Sequence, residues 1–162
     1  MNKLMIIGAV SSGKSTLTKA LLKKSLDAVK TQALNYEDWI IDIPGEYLEN
    51  PLFYKNIIAT SFEATHIVYL QDATRTLSNF PPFFATGISK LPIGVITKCD
   101  ADIADITRAT MILKQAIGQA PIVVTSAIEN IGIEHIRRLV QCQTINEMKA
   151  YVEQAKDPHL FF

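Results

Sequence analysis

At 162 residues, with 48% hydrophobic and 20% charged side chains, the chain can build one domain with a sizeable core and is too apolar to be disordered. Sixteen basic residues balance sixteen acidic ones, so no net field draws it to nucleic acid or to an anionic membrane. Cys99 and Cys142 are too few for a disulfide framework and point to a reducing, intracellular setting.

Short apolar runs alternate with longer amphipathic stretches along the chain, the pattern of a parallel sheet flanked by helices. LMIIG opens it as a strand, too short for a secretory signal, and Lys14 to Lys24 follow as a helix. TQALNY is read as pairing antiparallel with WIIDIP across Glu37-Asp38, at one edge of the sheet. A second helix runs from Pro51 to Ser61, with Asn50 as N-cap and Pro51 in the first turn. HIVYLQD is the next strand. Thr76 to Phe84, with two prolines, reads as an irregular loop opening a third helix over roughly Pro82 to Lys90. IGVITK, a helix over Asp102 to Ile117, the strand PIVVTSA and a helix over Gly132 to Cys142 complete the alternation. Beyond Cys142, Ile145, Met148, Val152 and Ala155 keep helical spacing. The expected organisation is a nucleotide-binding domain over 1–142. A helical tail over 143–162 either belongs to that domain or serves as a docking element. No segment is long enough to cross a bilayer.

The stretch GAVSSGKST, from Gly8 through Ala9, Val10, Ser11, Ser12, Gly13, Lys14 and Ser15 to Thr16, lies between the first strand and the first helix. A glycine, four variable residues and then Gly-Lys-Ser is the phosphate-cradling P-loop pattern, and its strand-loop-helix setting is the one that chemistry requires. Its backbone amides would wrap the phosphates, Lys14 would reach the β- and γ-phosphates, and Ser15 would bind magnesium. A second acidic group is needed near the metal, and Asp42 ends a neighbouring strand. Gly45 follows it in DIPG and, lacking a side chain, can bring its amide against the γ-phosphate.

Base choice falls on Thr97-Lys98-Cys99-Asp100 and Thr125-Ser126-Ala127. A carboxylate at Asp100 can accept from guanine N1–H and its 2-amino group, while adenine offers neither donor. The Lys98 stem would cover the base plane, and the Ala127 amide, beside Ser126, would meet guanine O6. His66, His135 and His159 have no metal-site spacing and are read as structural or surface residues. Cys99 is read as a filler; Asp72 and Arg75, after the fourth strand, are read as turn-capping residues, with a direction toward the ligand edge as the alternative. Tyr47 is read equally as packing on Phe53 or meeting a partner, and Lys23-Lys24 and Arg137-Arg138 as solvated helix faces.

Together GAVSSGKS, Thr31, DIPG, TKCD and TSA resemble the five signature elements of Ras-like small GTPases, with Thr97 where most members carry Asn. More narrowly, KTQALNY followed by IDIPGEYLENP is similar to the ethanolamine- and propanediol-utilisation GTPase family (EutP/PduV), which typically reads KTQA and then IDTPGEY; here Ile43 replaces the Thr. The likeness extends to about Cys142. It implies a three-layer α/β P-loop fold with a mostly parallel sheet, and a protein binding GTP or GDP with Mg2+ and hydrolysing GTP slowly. It also implies a bacterial, cytoplasmic setting near microcompartment shells, with an effector or shell protein as partner and neither nucleic acid nor membrane insertion. Thr31, sixteen residues after Ser15, is the candidate to close over magnesium and the γ-phosphate, with Ser25 and Thr18 as alternatives by type. Glu46 stands where the superfamily usually has a water-orienting Gln. Two rival functions remain: a P-loop phosphotransferase acting on a small acid such as acetate, and a shell-binding adaptor with vestigial nucleotide chemistry. The first is disfavoured by the scarcity of arginines, the second by the intact Lys14, Ser15, Asp42 and Asp100.

Overall fold

The computed structural model describes residues 1–23 and 35–162, except the side chains of Asn35 and Glu37. Thr31 and Ser25, two of the three candidates for the first switch, lie outside the described residues, as does most of TQALNY. Strands β1 (Leu4–Ile7), β2 (Asn35–Glu37), β3 (Ile40–Asp42), β4 (His66–Asp72), β5 (Leu91–Thr97), β6 (Ile122–Val124) and β7 (Leu160–Phe161) form one sheet in the order β2-β3-β1-β4-β5-β6-β7. The five inner strands are parallel, and the edge strands β2 and β7 are antiparallel to their neighbours.

Helices cover both faces: α1 (Lys14–Leu21), α2 (Gly45–Glu49), α3 (Tyr54–Ser61), α4 (Ile106–Ile117), α5 (Ile133–Val140) and α6 (Ile145–Ala155). The pleat of β1 shows why the inner strands are apolar at every position. Met5 and Ile7 enter the core under α3 and α4, with Ile57 and Leu113, while Leu4 and Ile6 enter the core under α1 and α5, with Leu17 and Ile136. The fold is therefore the expected three-layer α/β P-loop architecture. The loops that carry the candidate phosphate and base residues follow β1, β3, β5 and β6, all at the same edge of the parallel sheet, where such folds bind ligands.

Four local expectations change. The helix expected over Pro82–Lys90 is only a 3-10 turn at Phe84–Gly87. Two prolines precede it, and Phe83 takes a left-handed φ of 60° that no helix continues. Aromatic packing holds this segment instead, with Phe80 and Phe84 edge-on to the buried Tyr69 ring. The helix expected from Pro51 begins as a 3-10 turn over Pro51–Phe53, capped by Asn50 accepting from Leu52 N at 3.1 Å, and becomes α-helical only at Tyr54. The hairpin turn falls on Asp38-Trp39, not on Glu37-Asp38, with Asp38 at φ 56°. The helix expected to start at Asp102 starts at Ile106, where Asp105 caps it by accepting from Arg108 N.

Two elements were not anticipated. Helix α2 begins at Gly45, the last residue of DIPG, and β7 closes the sheet beside β6, pairing Ile122 with Phe161 and Val123 with Leu160. Met148 of α6 is fully buried in the same core as Leu17. Arg137 is not a solvated face residue: its guanidinium binds the Ala20 and Leu21 carbonyls at the end of α1. Among the described residues no helix is long and apolar enough to cross a membrane.

Candidate functional site

The loop from Gly8 to Gly13 leaves the buried end of β1 and enters α1 through Gly13, whose φ of 96° is open to glycine but strained for other residues. Helix α1 has no side-chain cap and no acidic residue in its first turn. The positive end of its dipole therefore faces the loop with no carboxylate of the helix's own to neutralise it, a setting that favours an anion. Lys14, Ser15 and Thr16 form that first turn. Lys14 Nζ lies 3.1 Å from Asp42 Oδ1, both side chains almost wholly buried, so the loop lysine and the carboxylate ending β3 meet, a contact the sequence reading did not call for.

Gly45 begins α2 hard against the loop. A β-carbon there would stand 2.5 Å from Val10 N and 2.8 Å from Val10 Cα. Four residues on, Glu49 accepts from the same Val10 N–H at 3.1 Å. Glu46, between them, is exposed, and Tyr47 stacks on Phe53 with centroids 4.9 Å apart.

The base-side loops are tied to the phosphate loop and to each other. Thr97 Oγ1 donates to the Ser12 carbonyl at 2.6 Å, Lys98 Nζ to the Ser11 carbonyl at 2.9 Å, and Cys99 N to the Thr125 carbonyl at 3.1 Å. After β6, Ser126 and Ile131 exchange both backbone hydrogen bonds, closing a tight loop that presents Ala127 and Ile128. Between these segments lies a cavity of about 270 Å³, lined by Gly13, Thr16, Thr97, Lys98, Asp100 and Ala127 among others. Its lining is mostly apolar, Ile128 is exposed beside it, and the Asp100 carboxylate is exposed within it. Such a cavity suits a flat heterocycle, with one carboxylate in its lining to choose among bases. Cys99 is half-buried against the core, a filler as read, and burial is the first cause raising its thiol pKa.

Asp72 and Arg75 do more than cap a turn: they stand at the P-loop, the alternative the sequence left open, though no motif marked them. Asp72 Oδ1 accepts from Thr74 N and Oγ1, while Oδ2 holds Lys98 Nζ at 2.7 Å. Burial pushes this carboxyl up, yet the Lys98 ammonium and the Thr74 hydrogen bonds outweigh it and hold the pKa below its ordinary value. Arg75 Nη2 donates to the Val10 carbonyl at 2.6 Å. Glu49 was likewise missed, because it belongs to a helix the sequence did not reveal. The histidines are structural: His66 is buried between Thr65 Oγ1 and the Cys142 carbonyl, and His135 lies between Tyr151 and Asp157.

The sequence profile of the "Ethanolamine utilisation - propanediol utilisation" family matches residues 1–142. The chain belongs to this family. Within it, the chain is 36% identical over 139 residues to the "Propanediol utilization protein PduV" of Citrobacter freundii, covering 84% of this chain and 91% of that one. It is 33% identical over 123 residues to the "Probable acetate kinase EutP" of Escherichia coli K12, covering 75% and 77%. The matched profile spans the elements that build the cavity and the phosphate loop, and stops before α6 and β7.

As for a metal, among the described residues no three His, Cys, Asp or Glu side chains converge as an all-protein cage. Ser15 and Asp42 offer a hydroxyl and a carboxylate, hard oxygen donors of the kind magnesium takes when phosphate oxygens and water complete its shell.

Proposed function

We propose that this family member binds GTP and GDP with magnesium and hydrolyses GTP slowly, serving ethanolamine or propanediol utilisation. One observation carries the reading: an exposed carboxylate, Asp100, lines a mostly apolar cavity of about 270 Å³ that adjoins the P-loop at Gly13 and Thr16. Guanine presents two donors to such a group and adenine none. Each charge-assisted hydrogen bond is worth about 1.5–3 kcal/mol, so GTP should be favoured over ATP by roughly 10² to 10⁴.

The Lys14–Asp42 pair supports a coupled nucleotide and metal site. A phosphate that draws the Lys14 ammonium towards itself weakens the ion pair of a buried carboxylate, and a second cation there would offset that loss. Asp42 and Ser15 would hold magnesium there, which would neutralise phosphate charge when bound. Glu46 can orient water by accepting from it, but it cannot donate to the transferred group, and its charge opposes the phosphate. Slow turnover follows.

A second reading is phosphoryl transfer to a small carboxylic acid, suggested by the name of the EutP relatives and by a guanidinium, Arg75, at the loop. The other arginines are engaged elsewhere. Arg137 holds the end of α1, Arg138 covers the Tyr151 ring, and Arg108 stands 3.7 Å from Asp105 in the first turn of α4. Binding and turnover of GTP and ATP, with and without acetate, separate the readings. Guanine-selective binding with slow phosphate release, unmoved by acetate, supports the first. Formation of acetyl phosphate supports the second, and equal affinity for ATP and GTP refutes the guanine assignment.

A further inference from the structure

Three consecutive carbonyls of the P-loop are each held by a side chain from another part of the sheet: Val10 by Arg75, Ser11 by Lys98 and Ser12 by Thr97. Between the first two clamps Ser11 adopts a φ of 62°. A residue with a β-carbon stays in that left-handed region only where its surroundings enforce it. Ser11 is exposed, so packing does not enforce it. A turn hydrogen bond from Ser12 N to the Ala9 carbonyl at 3.1 Å spans the Val10–Ser11 peptide, and the clamps hold the carbonyls before and after the Ser11 N–H.

We propose that Arg75 is a positioning residue for the polyphosphate, acting through the Val10–Ser11 peptide; the proposal rests on the nucleotide reading given above. That peptide is planar and trans, so its N–H, on Ser11, points opposite to the Val10 carbonyl that Arg75 grips. Arg75 thereby fixes the direction of a loop amide and polarises it as a donor. Asp72 is the anchor behind the clamp. Its buried carboxylate binds Lys98 at 2.7 Å and lies 3.8 Å from Arg75 Nε, so one anion aligns the two cations that reach neighbouring carbonyls. Thr74 completes the hub by donating twice to Asp72 Oδ1.

The test measures affinity for a fluorescent GDP analogue in magnesium, with GTP and ATP as competitors. Arg75→Ala should bind GDP about tenfold more weakly, or 1.4 kcal/mol, the scale of the left-handed penalty that the clamp holds at Ser11. Its preference for GTP over ATP should be unchanged, since the base cavity is untouched. Arg75→Lys, which keeps a charged donor, should recover most of the loss. So should Arg75→Ala combined with Ser11→Gly, because glycine holds the left-handed φ without the clamp. Rescue by glycine is a readout that a merely structural role for Arg75 would not produce. If Arg75→Ala does not fold, Arg75→Gln, which keeps one N–H donor without charge, takes its place, with a smaller loss and the same rescue expected. Affinity for GDP within twofold of the parent, or a double variant as weak as the single one, overturns the proposal. A parent that binds neither GDP nor ATP instead overturns the nucleotide reading on which it rests.

Discussion

Replacing Gly45 by alanine sets two physical effects against each other with opposite signs. Gly45 is the first residue of α2, and its φ is not in the left-handed region, so helix propensity alone makes alanine stabilising by about 0.5–1 kcal/mol. The contact with the phosphate loop says otherwise. A β-carbon would sit 2.5 Å from Val10 N, 2.8 Å from Val10 Cα and 2.9 Å from Ala9 C. All three atoms are backbone of a loop braced by Arg75, Lys98 and Thr97, so the loop cannot yield cheaply and α2 must move instead. Overpacking of this kind costs about 1–3 kcal/mol, which outweighs propensity. The displacement also pulls Glu49 from Val10 N, removing a hydrogen bond to a charged acceptor worth about 1.5–3 kcal/mol when fully formed and less at this exposed site. A net loss of about 1–3 kcal/mol lowers the melting temperature of a domain this size by roughly 2–12 °C. Thermal unfolding of the nucleotide-free protein by circular dichroism measures it, for Gly45→Ala beside Glu49→Ala, which should show the smaller loss. A raised melting temperature for Gly45→Ala would mean that α2 does not rest on the loop, and the account of this contact would fail.

Asp100→Asn should lower GDP affinity and raise that for xanthosine diphosphate, since xanthine carries a carbonyl where guanine has its amino donor; competition binding decides, and undiminished GDP affinity refutes the base assignment. Burial lowers the His66 pKa below 6.5, so the neutral ring contributes stability that is fully present above pH 6.5 and is lost as pH falls through the depressed value. Urea midpoints at pH 7.5 and 5 should therefore differ in the parent, and the difference should shrink in His66→Gln; an equal difference in both removes His66 as the cause. A chain ending at Cys142 loses the burial of Met148 and Leu160, about 3–6 kcal/mol together, and should unfold at much lower urea; an unchanged midpoint would show that α6 and β7 are dispensable. Single-turnover GTP hydrolysis should be slow and equal in sodium and potassium, with Glu46→Ala within a few-fold of the parent. Tenfold stimulation by potassium would refute this view of the site.

The parallel strands and the phosphate loop were legible because their signals are local. LMII is apolar at every position since both faces of β1 are covered, and the glycine-lysine-serine run dictates a turn before a helix. What stayed hidden depends on partners distant in the chain. Leu160 and Phe161 are too short a run to announce a strand; only the open edge of β6 makes them one. Helix α2 is five residues, below the length at which an apolar period can be read, and its N-terminus is set by contact with Val10. Pro82 to Gly87 carry residues that fit a helix at several positions, yet the aromatic cluster around Tyr69 decides their course. The same holds in the site. Lys14 and Asp100 belong to patterns of fixed spacing, whereas Arg75 meets Val10 across 65 positions through a turn whose only visible signal is a capping aspartate. The sheet explains the difference. Its switch in strand order at β1 and β4 lets the loop after β4 stand behind the loop after β1, so a side chain there reaches the backs of P-loop carbonyls whose amides face the other way. Residues that touch a phosphate are constrained in type and spacing by the phosphate itself. Those that aim the loop are constrained only by the fold, and become visible once the fold is in hand.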